Sequence, residues 1–477
     1  MKIETVGIVS ATLLTMLCVM VALGQEQGKR AIKTHTICYG GWKSHAPHFD
    51  FIASHYDMVL DGAPNIVEEL TKRNPKIGVL YYKIAQSMHA SYPDWQEVDA
   101  HEEWFIHAKD FEPTRENRLF STAYDEYMMD VREVGWQDHY AQFVAKTMKE
   151  NPLFAGIFAD NCWSSFSAAR GKWYRITPPE RHVTEGVRGE IIKVDHPIAK
   201  RRRGPTPIRV HTNSKMEGDN FYDEKNGCSW DGQTITLNPE KLPGPPGAEV
   251  WVSYAAVCFP PEGLVEKWQD GITAVVTKAR AAMPPDKLLI GNSGGRVYCE
   301  RYLEGLDGVF VEAFVHAPWG LGDRGPAEEQ WRQEIEAQIH AQELGKWHMS
   351  HSGTDPERST PEQIEQWRLF CYASFLLADG PKATFQFVGE HKDRAPNYYP
   401  EWDLPIGEAK SKYTITKIGN ANIYQREFAN GKALVNPSDG AEPVTIDLGG
   451  KYRNWKGEVL EKIELTPKHG AVLARTK

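Results

Sequence analysis

Short apolar runs alternate with stretches of helical period through most of the chain, the pattern of βαβ units around a parallel sheet. Eight apolar runs stand at 36–39, 58–61, 77–83, 156–161, 288–292, 308–314, 348–352 and 383–388. Helical spacing of apolar positions fills much of the space between them, at 65–72, 139–149, 262–283, 327–344 and 361–377. Eight strands with intervening helices predict an α/β chain folded as a (β/α)8 TIM barrel over residues 31–408.

Two segments break the alternation. Residues 181–253 are strand-like and rich in turns, which predicts a β-rich subdomain inserted after the fourth strand, where barrel loops overlie the mouth. Residues 409–477 alternate apolar and polar positions, and Asn430-Gly431 joins two such runs as a hairpin signal, which predicts a C-terminal antiparallel β-sandwich.

Residues 1–24 are a third exception. Met1-Lys2 leads into an almost wholly apolar run ending Ala22-Leu23-Gly24, a pattern that predicts a secretory signal peptide or an uncleaved membrane anchor. Either one exports the rest of the chain and places it outside the cell or in the periplasm. Cys18 lies within the run without the context of a lipidation site. Six cysteines follow (Cys38, Cys162, Cys228, Cys258, Cys299, Cys371) with no CxxC pair and no metal-like spacing, so neither a disulfide scaffold nor a metal centre is expected. A net charge of −9, with acids and bases interspersed, argues against a nucleic-acid partner. Lys200-Arg201-Arg202-Arg203 reads as a solvated loop.

The 15 tryptophans and 19 tyrosines are a heavy load. Several stand beside polar residues at the ends of runs, among them Trp42, Trp163 and Trp319. Flat aromatic faces stack on the C–H faces of sugars while polar neighbours bond the hydroxyls. These three are expected to project toward one cavity.

In a barrel the chemistry lies at the carboxyl ends of the strands. The fourth run delivers Asp160, Asn161 and Trp163 in succession, and the sixth delivers Glu312. A carboxylate closing a buried strand is costly to desolvate without a partner or a task. Two of them across a barrel mouth are what glycosidic cleavage needs, one as acid and the other as nucleophile or base. Candidate substrate-binding residues are Asp61, Lys83, Asp130, Asn292, His348 and Gln386, together with Asn161 and the three tryptophans. His348 and His351 lack a third ligand in step with them, so no metal and no cofactor are expected. The expected partner is a carbohydrate substrate, with membrane attachment only through the N-terminal segment.

The sequence Gly156-Ile157-Phe158-Ala159-Asp160-Asn161, the earlier Trp104-Phe105-Ile106-His107 and Met128-Met129-Asp130 resemble glycoside hydrolase-like barrels of the hypothetical glycosyl hydrolase family 15 kind. The tail 426–438 is similar to the β-sandwich that follows the barrel in those chains and in alpha-galactosidase- and amylase-like enzymes. The resemblance covers about 31–180 and 256–477 and implies a nucleophilic Asp on strand four and an acid/base on strand six, which here are Asp160 and Glu312. The strand-six acid is Glu rather than Asp, and 181–253 has no counterpart in the pattern. Carboxyl groups about 5–5.5 Å apart imply retention and about 6.5–9.5 Å inversion; retention is the expectation, with Glu312 the drier partner. A binding protein without turnover and a polysaccharide lyase built on Lys83 and His348 are the competing readings.

Overall fold

A computed structural model describes residues 32–476 except 38–40, 110, 122–124, 164–165, 167–172, 199–207, 217–220, 224–226, 239–243, 259–260, 295–299, 318–324, 390–395 and 441. The expected leader at 1–24, with Cys38, Cys299 and Trp319, lies outside the described residues. Among the described residues, no helix is long and apolar enough to cross a membrane.

Eight parallel strands form one sheet in chain order: β1 (His35–Thr36), β2 (Met58–Gly62), β3 (Gly78–Ile84), β4 (Gly156–Asp160), β5 (Leu288–Asn292), β6 (Gly308–Val311), β7 (Trp347–Gly353) and β8 (Ala383–Val388). A parallel bridge between Thr34 and Phe385 closes the sheet on itself. Between the strands run α1 (Phe49–His55), α2 (Pro64–Arg73), α3 (Val134–Glu150), α4 (Leu264–Ala282), α5 (Glu300–Glu304), α6 (Glu328–Glu343) and α7 (Pro361–Ala378). The fold is therefore the expected (β/α)8 barrel.

Alternation along each strand divides its side chains between two cores. Ile37, Met58, Leu60, Leu80, Phe158, Ile290, Phe310 and Met349 fill the barrel interior, while Val59, Val79, Ile157, Leu289 and Val309 belong to the core shared with the helices. Each fully buried side chain of this size contributes roughly 1.5–3 kcal/mol. On α4 the buried residues Leu264, Trp268, Ile272, Val275, Val276 and Ala279 recur at helical spacing and form one stripe. At α7, Thr360 and Gln363 make a reciprocal capping box ahead of Pro361, which fixes where that helix begins.

The β-rich insertion is present, and its strands extend from Trp173 to Cys258. Its longest strand, Glu249–Cys258, pairs with Ile208–His211, Trp173–Ile176 and Glu180–Val183. The sheet then continues into the loop after β3, through Phe120–Ser121, Glu126–Met128 and Ser87–His89. Two barrel loops thus share one antiparallel sheet. The C-terminal antiparallel unit is one six-stranded sheet curled into a half-barrel, in the order Thr414–Ile418, Ala421–Phe428, Gly431–Asn436, His469–Arg475, Val444–Arg453 and Val459–Leu465. It rests on α7 at Gly470, where an added Cβ would lie 2.6 Å from Leu369 O.

Candidate active site

Asp160 is the last residue of β4, and the alternation Gly156, Phe158, Asp160 turns it toward the barrel axis. It is 6% exposed. The Tyr82 hydroxyl of β3 donates to its Oδ2, and Nδ2 of Asn292, the last residue of β5, donates to its Oδ1 at 2.7 Å. Burial raises the pKa of this carboxyl, and the bonds from Tyr82, Asn292 and the Asn161 backbone N–H offset only part of that rise. Asn161 adopts a left-handed φ of 45°, a conformation that Asn tolerates better than most residues.

Glu312 follows β6 and is half-buried. Its Oε2 accepts from the same Asn292 Nδ2, at 3.2 Å. Two bonds of 2.7 and 3.2 Å from one nitrogen place a ceiling of about 6 Å on the separation of the two carboxylate oxygens. The expectation that Glu312 is the drier partner is corrected: Asp160 is deeper, because it closes the strand itself whereas Glu312 lies one residue beyond β6 in a turn.

A third carboxyl comes from the loop sheet. Glu126 is 8% exposed and accepts from the Ser87 hydroxyl at 2.7 Å. Burial first, and then the charges of Asp160 and Asp125, push it up to about 7. Tyr92, on the same loop, has its pKa raised by burial and by the charges of Glu126 and Asp160. The strand-end rule passes over Glu126, since it belongs to no barrel strand; its one signal is an acid within a short alternating run, Asp125-Glu126-Tyr127-Met128.

The other expected residues divide. At the end of β2, Asp61 lies 3.1 Å from Nε2 of His45, which follows β1. Burial lowers the pKa of that imidazole, but the bond to and charge of Asp61 outweigh it and the net shift is upward. Gln386 lies inside the barrel, with Oε1 3.1 Å from Nδ1 of His351 and Nε2 donating to Thr36 at 3.1 Å. Trp163 packs on Gly294, where an added Cβ would run into its ring. Trp42 is 45% exposed and packs edge-on against Phe49 of α1.

Lys83, Asp130 and His348 stand apart from this group. Lys83 takes the outer parity of β3 and pairs with Asp94 at 2.7 Å, over the Phe143 ring of α3; the inward residue is its neighbour Tyr82. Asp130 is held by both arms of Arg132. His348 alternates with the inward Met349 and bonds Ser350, and burial pushes it down to about 3.

In fold, the chain is similar to an alpha-amylase from Anoxybacillus (10% identity, 92% of this chain and 91% of that one, TM-score 0.45). It is also similar to a maltogenic alpha-amylase from Thermotoga neapolitana (10%, 94% and 98%, 0.47) and to the glycoside hydrolase domain of PelA from Pseudomonas aeruginosa (10%, 76% and 98%, 0.38). No curated protein matches it. The profile of hypothetical glycosyl hydrolase family 15 matches residues 71–186 and 247–432, over half of the chain, and spans β4 with Asp160, β5 with Asn292 and β6 with Glu312. The chain belongs to hypothetical glycosyl hydrolase family 15, and the activity that goes with that membership is that of a glycosidase.

Proposed function

We propose that this glycosidase is a retaining enzyme with Asp160 as nucleophile and Glu312 as acid/base, acting on an extracellular oligo- or polysaccharide. The observation that carries the reading is the single amide nitrogen of Asn292 shared by both carboxylates, since a separation near the retaining range leaves no space for a water between them and the sugar. In the first step an Asp160 oxygen bonds to the anomeric carbon as the glycosidic C–O bond breaks, and Glu312 gives its proton to the departing oxygen. In the second, Glu312 takes a proton from water, whose oxygen displaces Asp160 from the same carbon. The three donors around Asp160 favour its ionised form and offset part of the burial that raises its pKa. Trp163 supplies an aromatic face, and Asn161 and Asp61 supply polar groups for sugar hydroxyls. The extracellular substrate, and any membrane attachment, rest on the leader expected at 1–24.

The binding-protein reading predicts that only one of the two carboxylates lines the pocket, or that they stand too far apart to flank one bond, and the shared amide speaks against it. The lyase reading loses its residues, because Lys83 and His348 both face out of the barrel. A glycan panel tests the proposal: wild type releases sugar, Asp160→Asn does so at least about 1,000-fold more slowly, and the first product has the anomeric configuration of the substrate. Full activity in D160N, or an inverted product, overturns it.

A further inference from the structure

The chain leaves Glu312 through a strained turn. Val315, three residues on, is fully buried with a φ of +59°, and among the described residues it is the only β-branched one in a left-handed conformation. Such strain persists only where the surroundings over-determine it. Here three elements do so. On β7, His351 O accepts the Phe314 N–H at 3.0 Å, the Ser352 hydroxyl donates to Phe314 O at 2.6 Å, and the Gly353 N–H donates to His316 O at 3.0 Å. On α7, the Trp367 ring stacks on His316 at 4.2 Å. On α6, Glu334 is 1% exposed and its Oε2 accepts the Val315 N–H at 2.5 Å. That last bond falls on the strained residue itself, and a carboxylate acceptor makes it stronger than a carbonyl would.

We propose that Glu334 is a positioning residue for Glu312: by holding the Val315 turn from outside the barrel wall, it sets the direction from which the acid meets the leaving oxygen. The proposal rests on the reading of Glu312 as acid/base. Glu312 lies one residue past the end of β6, so its backbone is fixed by the turn that follows as much as by the strand. A general acid must stand within hydrogen-bond reach of the oxygen it protonates, and a small misplacement is costly in rate. Without the Glu334 acceptor the Val315 N–H is left buried and unpaired. The turn then relaxes away from its left-handed conformation and carries Glu312 with it. Asp160 is held from β3 and β5 by Tyr82 and Asn292, and keeps its place.

The test is kcat/KM, which reads the first bond-breaking step, on phenyl and dinitrophenyl glycosides of the sugar that the glycan panel releases. Phenoxide needs a proton from the acid in order to leave, and dinitrophenoxide does not. Glu334→Leu is expected to lower kcat/KM on the phenyl glycoside by about 30- to 100-fold and on the dinitrophenyl glycoside by no more than about threefold. Glu334→Gln keeps an oxygen for the Val315 N–H and should stay close to wild type on both. Should E334L not fold, S352A loosens the same turn at Phe314 O and should show the same split in smaller measure. Equal losses on the two glycosides, or a folded E334L that matches wild type on both, overturn the proposal. E312Q is measured in parallel. A split in E312Q without one in E334L removes the Glu334 proposal alone. No split in E312Q, or a wild type that releases no sugar from the panel, removes the acid/base reading and this one with it.

Discussion

Gly294 donates its backbone N–H to Oδ1 of Asn292 at 2.9 Å. The oxygen and nitrogen of an amide sit on opposite arms, so this bond turns Nδ2 toward Asp160 and Glu312. Asn292→Asp keeps the shape and puts a third carboxylate between the other two. The expected result is a fall in kcat/KM of about 100- to 1,000-fold, with the acid limb of the pH profile moved upward, because like charges disfavour ionisation. A profile measured on dinitrophenyl glycosides, whose leaving group needs no proton, reads the nucleophile directly. An N292D enzyme within about threefold of wild type at every pH is incompatible with the bridging role.

The same glycine supports the aromatic wall. Its φ is +61°, and a Cβ there runs into the Trp163 ring, so Gly294→Ala both strains the backbone and displaces the tryptophan. Stability should drop by about 1–3 kcal/mol, tryptophan emission should shift, and KM should rise by a larger factor than kcat falls. Thermal unfolding with steady-state kinetics decides this; unchanged Tm and KM would mean that the wall is not built as described.

Glu126 should make stability depend on pH. Unfolded, this carboxyl ionises in the ordinary range near 4.5; folded, it holds its proton up to about 7. Between those values the unfolded chain is ionised while the folded chain is still protonated, so rising pH favours unfolding across that window and levels off above it. The cost is roughly 3 kcal/mol by pH 8. Glu126→Gln removes it, and denaturant titrations at pH 5 and pH 8 should show a smaller pH difference for E126Q than for wild type. Equal differences would place the raised proton affinity elsewhere.

Lys83 should matter to the fold more than to the chemistry. Removing it leaves Asp94 buried with His139 3.1 Å away as its remaining partner, and Lys83→Met is expected to cost about 3 kcal/mol. The double change with Asp94→Leu should recover part of that loss. Activity per folded molecule should remain within about threefold of wild type, and a loss beyond about tenfold at full folding would move Lys83 back to the site.

The barrel was legible because strands such as β2, β4 and β6 are apolar on both faces and helices such as α2 and α4 carry one apolar stripe, so the two periods could be told apart over most of the chain. The strand-end positions of Asp160 and Glu312 were legible for the same reason, as acids ending apolar runs. Which of two neighbouring residues faces inward was not. A strand reverses its side chains at every residue, and a reading one position out selects Lys83 over Tyr82, or His348 over Met349. The β2–β3 register is irregular between Val59 and Gly62, so alternation from Met58 and Leu60 cannot be extended to Asp61. Glu126 was hidden differently: its place is set by pairing with Ser87–His89 and Phe120–Ser121 within the long loop after β3, and such short pairing leaves no local period.

The closure of the barrel wall between Thr34 and Phe385 also matters while the chain is being made. The side chains of His35 and Thr384, bonded at 2.8 Å, are separated by 349 residues. During synthesis β1 therefore waits as an open edge until nearly the whole barrel has emerged, with backbone groups free to pair with any other extended chain. At only two residues, β1 offers little length for such mispairing. The site is finished last as well, since the layer of Thr36, His351 and Gln386 inside the wall forms only when that edge is taken up. Folding of this enzyme should accordingly be slow and post-translational, with truncations ahead of β8 prone to aggregate.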